Sequence, residues 1–140
     1  MTRPPLDITD VRIVLARRPD SGCVAFASFT VSGVLAVKDV RIVANGDKLF
    51  CAMPAKPITD KCPGCRAKNP ITAGFCNGCG DALPPLPPTP AGERHRTHTG
   101  ILFPVNRATR EHVEAAILAE YHREAEAARS PGYVPRFTVA

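Results

Sequence analysis

Two Cys-x-x-Cys pairs constrain this chain more than any other feature: Cys62/Cys65 and Cys76/Cys79, with ten residues between them. In each pair a tight turn directs both thiolates to one point, and two facing turns provide a closed tetrahedral set of four sulfurs. Proline and glycine in and just after the pairs suit these turns, because proline presets φ and glycine tolerates left-handed backbone. The spacing predicts a structural metal site that holds Zn²⁺, with rubredoxin-like iron as the alternative.

Other uses of the four cysteines explain the sequence less well. A redox pair of the thioredoxin type has an apolar strand beside it, and none adjoins these pairs. Disulfides need an oxidising compartment, whereas the first residues, MTRPPLDITD, form no apolar signal segment and no apolar run is long enough to span a membrane. Four sulfur ligands also leave no open coordination position for catalysis. We therefore expect a cytoplasmic protein, not bound to a membrane, with a structural metal.

The length and charge of the chain limit its function. At 140 residues it accommodates one modest domain and a small module stabilised by metal. Its formal net charge is +5, and four thiolates around one divalent ion reduce that figure. None of the basic excess lies beyond residue 100. Charge alone is therefore weak support for nucleic-acid binding.

Hydrophobic alternation predicts four strands in the first part of the chain. They cover residues 8–17, 23–32, 34–44 and 49–53. Turn residues between them, such as those at 19–22, favour antiparallel connections and therefore a meander. The alternation of the third strand slips at Lys38-Asp39, which predicts a β-bulge. Cys23 and Cys51 lie inside strands, where they are better explained as small buried apolar residues than as metal ligands.

The second part of the chain begins with proline and ends with a helix. Residues 83–100 start with a proline-rich run, which predicts a polyproline spacer, with a ligand for an SH3-like partner as the alternative. Residues 101–105 predict a short edge strand. Thr109 is the predicted cap of the helix, Glu111 lies in its predicted first turn, and residues 130–132 end it. Its predicted apolar face consists of Val113, Ile117, Leu118, Tyr121, Ala125 and Ala128.

Ordered blocks of sequence outside the cysteine segment resemble the stage V sporulation protein G (SpoVG) family, which are small bacterial nucleic-acid-binding regulators. The blocks are ITDVRI, VKDVRIV, LFCAMPAK and FPVNRATREHVEAAILAEYHR, in that order. The resemblance implies an α+β fold: a twisted antiparallel sheet with one packed C-terminal helix, assembled as a homodimer by pairing of sheet elements across subunits. It also implies binding to DNA or RNA without enzymatic activity.

The main departure from the family is the loop after the AMP segment. That loop is usually short and polar in the family, and here it holds the cysteines and the proline run. We therefore predict a discontinuous domain of residues 1–56 and 101–140, interrupted by a zinc ribbon at 57–82 and a linker at 83–100. The tail from Tyr133 onward has no assigned structure; a loose tail and pairing with a partner's strand are both open.

Phosphate contacts are expected from basic residues of the ribbon, of the linker and of the start of the helix. These are Lys56, Lys61, Arg66, Lys68, Arg94, Arg96, Arg107 and Arg110. Such contacts hold a nucleic-acid backbone without reading its sequence. The alternative function is a protein-interaction adaptor, in which the ribbon and the proline-rich linker recruit a partner protein. Paired carboxylates, an activated nucleophile and a phosphate-cradling glycine loop do not stand out, so we do not expect an enzyme.

Overall fold

The computed structural model describes residues 6–18 and 22–140, and the chain forms two compact units. The sheet unit consists of the residues up to Pro54 together with Leu102–Ala140, and the ribbon unit is Ala55–Ile101. The turn predicted at residues 19–22 lies mostly outside the described residues. The sheet unit contains an apolar core cluster, whereas the ribbon unit contains a cluster of four cysteines.

The sheet unit is built on a four-stranded antiparallel meander in the order β1-β2-β3-β4. The strands are β1 (Ile8–Leu15), β2 (Cys23–Val31), β3 (Leu35–Asn45) and β4 (Lys48–Ala52). The tight turn between β3 and β4 uses Gly46 at φ 64°, a left-handed conformation that glycine adopts without strain. With one helix following the sheet, the predicted α+β fold class is confirmed.

Irregularities in β3 and β1 keep the apolar side chains of the meander on one face, and a further register shift lies between Cys23 and Ala25. In β3 the pairing steps from Phe29↔Val37 to Ala27↔Val40, so the predicted bulge at Lys38 and Asp39 is confirmed. Asp39 has φ 65°, a conformation that aspartate tolerates better than most residues. A similar irregularity in β1 leaves Asp10 at φ 48°. Each bulge inserts an extra residue, so the side chains beyond it regain the inward direction.

The helix α1 (Arg107–Ala127) packs its buried residues on the inner face of the meander. Val113 and Ile117 join one core cluster with residues of all four strands, which include Ile13, Ala25, Ala27, Phe29, Val40, Ile42 and Cys51. The predicted cap at Thr109 is wrong, because Asn106 is the N-cap and its Oδ1 accepts a hydrogen bond from the Thr109 amide at 2.8 Å. The helix thus begins earlier than predicted, and Glu111 lies beyond its first turn.

The C-terminal tail is fixed to the sheet unit by polar and cation–π contacts. The Tyr133 hydroxyl donates to Glu124, a carboxylate that is buried on α1 although the sequence predicted an apolar face. Arg136 lies 4.0 Å from Glu120, and the Arg12 guanidinium lies 5.0 Å from the centre of the Phe137 ring. These contacts hold residues 133–137 against the sheet unit of the same chain, so the tail is not loose over this stretch.

The ribbon unit contains two short antiparallel strand pairs. The strands are β5 (Ala55–Pro57), β6 (Thr59–Lys61), β7 (Lys68–Pro70) and β8 (His98–Gly100), with β5 paired to β8 and β6 paired to β7. The strand predicted at 101–105 is wrong, because the strand lies at His98–Gly100. Pro104 removes a backbone donor from the predicted segment, whereas Thr99 supplies the β-branched residue that a strand favours.

Candidate metal centre and basic surface

The first cysteine turn closes the hairpin of β6 and β7. Its backbone is fixed by two hydrogen bonds: the Cys62 amide donates to the Ala67 carbonyl at 2.9 Å, and the Arg66 amide donates to the Cys62 carbonyl at 2.9 Å. Arg66 has φ 66°, which is unusual for a long side chain and is required by the turn. The hairpin therefore places Cys62 and Cys65 at its tip.

The second cysteine turn repeats the first, bond for bond. The Cys76 amide donates to the Asp81 carbonyl at 2.8 Å, and the Gly80 amide donates to the Cys76 carbonyl at 3.0 Å. Gly80 has φ 81° at the position that corresponds to Arg66 of the first turn. The equivalence shows that the two Cys-x-x-Cys segments form the same local structure, which is the arrangement that the spacing predicts.

The four sulfurs converge on one point. Cys62 Sγ lies 3.8 Å from Cys79 Sγ, and Cys65 Sγ lies 3.5 Å from Cys76 Sγ. All four ligand atoms lie within 4.8 Å of one another. A tetrahedron with metal–sulfur bonds of about 2.3 Å has sulfur–sulfur edges of about 3.8 Å. The donor set is therefore compatible with a tetrahedral metal ion.

Hydrogen bonds prepare the sulfurs for a cation. The backbone amide of Cys79, the Asn69 side chain and the Gly78 amide lower the pKa of the Cys76 thiol to about 6. At Cys79 the Asp81 amide also lowers the pKa, but burial and the three other thiols outweigh it and raise the pKa to about 12. Without a cation, four thiolates at this separation repel one another. A divalent metal removes that repulsion, which is why the cluster is compatible with a metal site.

Asn69 is a supporting residue that sequence reasoning missed. It is 1% exposed on β7, its Nδ2 donates to Cys76 Sγ at 3.5 Å and to the Ala67 carbonyl at 3.1 Å, and its Oδ1 accepts from the Asn77 amide at 2.8 Å. One side chain thus joins the two cysteine turns. In the sequence Asn69 stands between a lysine and a proline, and this pattern is common in loops that have no supporting role.

Gly78 allows the second turn to approach the first closely. A Cβ atom at this position would lie 3.0 Å from the Ala67 Cβ and 3.4 Å from Cys65 Sγ. Its φ is not in the left-handed region, so the requirement is space and not conformation. Glycine is therefore needed here to leave room for the facing turn.

Three of the predicted phosphate-binding residues lie at the tip of the β6–β7 hairpin. Lys61 and Lys68 are direct cross-strand partners, and Arg66 belongs to the turn between them. All three are exposed, and within the described residues none forms an ion pair with a carboxylate. The fold thus brings together cations that are separated by up to seven positions in the sequence.

The other predicted cations are exposed but more scattered. Lys56 lies on β5 opposite Thr99, and Arg94 and Arg96 precede β8. Arg107 and Arg110 belong to α1 of the sheet unit, where Arg107 is paired with Glu111 at 2.8 Å. Lys56, Arg94 and Arg96 thus belong to or precede the β5–β8 strand pair and not the β6–β7 hairpin, and Arg107 and Arg110 belong to the other unit.

The proline-rich segment lies along the ribbon over its first part. The Leu83 amide donates to the Gly74 carbonyl at 2.8 Å. Residues 83–87 line a cavity of about 220 Å³ together with Pro63, Asn69 and Ile71. This part of the predicted linker is therefore part of the ribbon unit's own surface.

Within residues 6–18 and 22–140, helix length and hydropathy give no segment suited to crossing a bilayer.

The sheet with its packed helix and the four-cysteine cluster define a small α+β protein that carries an inserted cysteine module. Comparison with known proteins identifies its family. A family model described as SpoVG matches residues 6–123, so the chain belongs to the SpoVG family. The expected resemblance is thus confirmed.

Curated relatives, each named "Putative septation protein SpoVG", agree with this assignment. The relative from Geobacillus thermodenitrificans (strain NG80-2) is 32% identical over 119 residues, which cover 84% of this chain and 85% of that protein. The relative from Priestia megaterium is 30% identical over 122 residues, which cover 86% of this chain and 88% of that protein. The relative from Brevibacillus brevis is 27% identical over 118 residues, with 84% and 86% covered.

Proposed function

We propose that this protein is a bacterial nucleic-acid-binding regulator, without enzymatic activity, whose ribbon unit contacts the phosphate backbone of DNA or RNA. The observation that carries the proposal is the cross-strand pair of Lys61 and Lys68 beside Arg66. Like charges directly opposite one another destabilise a strand pair, and phosphate offsets that repulsion. The resemblance to the SpoVG regulators supports the same class of ligand.

Zn²⁺ is the metal that we propose for the four cysteines. Its role is structural, because it would cross-link Cys62, Cys65, Cys76 and Cys79 with no coordination position left for substrate. The amides of Gly78 and Cys79 and the side chain of Asn69 stabilise the charge on Cys76. The four cysteines would therefore hold the hairpin tip rigid around the metal, with Lys61, Arg66 and Lys68 exposed on its surface.

The remaining predicted cations are proposed as further phosphate contacts, each on its own unit. Lys56, Arg94 and Arg96 are exposed on the ribbon unit, and Arg107 and Arg110 are exposed on the sheet unit. Contacts of this kind hold a backbone without reading its bases, so each adds to affinity and to salt dependence. We therefore expect single substitutions at these five positions to have smaller effects than the combined loss at the hairpin tip.

The test is binding of the zinc-loaded protein to short DNA and RNA oligonucleotides over a salt series. The variant Lys61→Ala/Arg66→Ala/Lys68→Ala removes the hairpin cations, and Arg18→Ala/Arg123→Ala/Arg129→Ala is a control with the same charge loss on exposed residues of the sheet unit. Each lost phosphate contact lowers the slope of log affinity against log salt by about 0.7 to 0.9. We expect the hairpin variant to lose roughly two units of slope and the control almost none.

Two results would overturn this proposal. Equal slopes for the hairpin variant and the control mean that affinity follows net charge and that the hairpin is not the contact. Absence of binding at low salt removes nucleic acid as a ligand. The second candidate is then a protein-interaction adaptor, which the ribbon supports because its proline run, residues 83–87, lies on its surface and not in its interior.

A homodimer is the assembly that we propose, as the family resemblance implies. The sheet unit supports it with an apolar cavity of about 320 Å³ lined by Phe29, Val37, Met53, Phe103 and neighbouring residues. Around it Leu35 is 66% exposed and Phe103 is 62% exposed, which is unusual for large apolar side chains in a monomer. Sedimentation of the wild type and of Phe103→Asp tests this: we expect a dimer and a monomer, and a monomeric wild type contradicts it.

A further inference from the structure

The outer face of the meander, opposite α1, carries a row of side chains that the core does not use. Strand register places Phe26 beside Val14 on one side and beside Arg41 on the other, and Arg41 beside Ala52. Two residues further along β3, and therefore on the same face, Val43 is paired with Phe50. The inner face is defined by the alternate positions, such as Ala27 paired with Val40, both of which are fully buried.

Two aromatic rings on this outer face are incompletely covered. Phe26 is 41% exposed and Phe50 is 42% exposed, whereas the inward Phe29 is 2% exposed. An antiparallel sheet with one solvated face normally places polar residues there. The rings contribute less to the core than their size allows, so stability alone does not explain why phenylalanine is present at both positions.

Cations lie between and around the rings. Arg41 is exposed, pairs across the strand with Phe26, and forms no ion pair within the described residues. Lys48 precedes Phe50 by two positions, so it lies on the same face of β4. Asp10, which is 3.2 Å from Arg12, and Asp39 lie at the bulges, and Asp47 lies in the β3–β4 turn. The β3–β4 half of the face is therefore aromatic and basic.

The C-terminal tail covers the other half. Val139 and Ala140 line cavities with Lys38, Asp39 and Ser28, while Phe137 and Pro135 line a cavity of about 600 Å³ with Val14 and Phe26. Phe50 and Arg41 line none of these cavities. Part of Phe26, together with Phe50 and Lys48 of β4, thus remains exposed beside the tail.

We propose that this outer face binds single-stranded nucleic acid, with one base stacked on Phe26, another stacked on Phe50, and Arg41 contacting the phosphate between them. The two rings are separated by two strand spacings, about 10 Å, and by one pleat repeat, about 7 Å along the strand. That separation leaves each ring free to take its own base. Duplexes hide the faces of their bases, so the ligand of such a surface is a single strand.

This inference rests on the proposed function, because it specifies the strand state of the same class of ligand, but it uses residues of the other unit. The charge of the ligand complements Arg41 and Lys48, and its flat bases complement the exposed phenyl rings. A protein partner would not need the alternation of ring and cation along adjacent strands. Stacking is tolerant of sequence, so the surface would add affinity for single strands without selecting a motif.

The test compares two variants of the full-length, zinc-loaded chain. Phe26→Leu/Phe50→Leu removes the rings and keeps apolar bulk, whereas Phe26→Tyr/Phe50→Tyr keeps the rings. The probes are a twelve-nucleotide DNA strand that carries 2-aminopurine and its fully paired duplex. Stacking on a ring changes the fluorescence of 2-aminopurine directly. We expect the Leu variant to bind the single strand roughly tenfold or more weakly, with no change in salt slope, and the Tyr variant to bind like wild type.

The outcomes separate this inference from the ribbon proposal. Two results together support both surfaces. The Leu variant loses the fluorescence change, and the Lys61→Ala/Arg66→Ala/Lys68→Ala variant loses salt slope as expected from its lost phosphate contacts. A Leu variant that binds the single strand like wild type overturns the inference, even where the ribbon variant loses slope. Equal loss of affinity in the Leu and Tyr variants, or equal loss for single strand and duplex, also overturns it, because neither follows from stacking.

Discussion

The two units of this chain reach a defined structure by opposite means. The sheet unit buries a continuous apolar cluster in which Val40, Ile42 and Ile117 have no exposed surface. The ribbon unit, all of which lies in the described residues, buries only Cys62, Asn69 and Cys76. Modules with so small a core commonly take a metal in place of apolar burial, and the four sulfurs of the ribbon unit are compatible with one. One chain therefore combines a unit built on side-chain packing with a unit whose only cluster of buried groups is a candidate metal centre.

Removing the metal is expected to have the largest effect and to be confined to one unit. A chelator, or Cys76→Ser, should unfold the ribbon unit, because structural zinc contributes about 10–16 kcal/mol of binding free energy to such modules. Two-dimensional amide NMR measures both units at once: we expect ribbon resonances to collapse and sheet resonances to stay dispersed. Cys23→Ser is the control, because this half-buried cysteine lies outside the cluster. Collapse of both sets would show that the sheet unit depends on the ribbon.

The converse substitution is Ile117→Ala in the sheet unit. Ile117 is fully buried between α1 and the strands, so its truncation should lower the free energy of unfolding by about 2–5 kcal/mol. Zinc affinity should not change. Chemical denaturation followed by helical circular dichroism, beside a zinc competition titration, measures both quantities, and Ile117→Val should show a smaller loss of the same kind. A drop in zinc affinity would contradict the independence of the two units.

A third substitution, Asn69→Ala, tests how far the metal centre depends on its surroundings. Supporting hydrogen bonds of this kind alter metal affinity by about 10–100-fold. We expect zinc to bind correspondingly more weakly, since Cys76 loses a donor and the Asn77 amide loses its acceptor. Asn77→Ala is the matched control: its Nδ2 reaches only the Lys68 carbonyl, at 3.4 Å and exposed. Equal affinities in the two variants would make Asn69 a merely structural residue.

The smallest expected effect concerns the contact of the tail with α1. The hydrogen bond to Glu124, with a smaller effect of burial, raises the pKa of Tyr133 from 10.0 to about 12. A folded-state pKa above the unfolded value means that the contact stabilises fully below about pH 10 and is lost as pH rises towards 12. Carbon-bound proton resonances of residues 134–140, which do not exchange with water, should shift over that range and stay constant in Tyr133→Phe. A shift that persists in Tyr133→Phe would assign the transition to another group.

The sequence was sufficient to predict the structure wherever a residue pattern is compatible with only a few local structures. Alternation gave the four strands of the meander, the slip at Lys38-Asp39 gave the bulge, and the Cys-x-x-Cys spacing gave the cluster of sulfurs. The misses arise where several neighbours compete for one role. Asn106 and Thr109 are both good caps, and only the backbone geometry decides that Asn106 accepts the bond. Asn69 and Glu124 are buried because of partners eight and nine positions away, beyond the reach of helical or strand periodicity.

The ends of the ribbon unit meet. Ala55 is paired directly with Gly100 in β5 and β8, and on the sheet unit the Leu102 amide reaches the Pro54 carbonyl at 3.5 Å. An inserted segment whose first and last residues are neighbours occupies no more of its host than a tight turn does. Gain or loss of the whole segment by a single genetic event therefore leaves the host's strand order untouched. The four-cysteine segment is therefore an exchangeable part, which selection can add to or remove from the same scaffold.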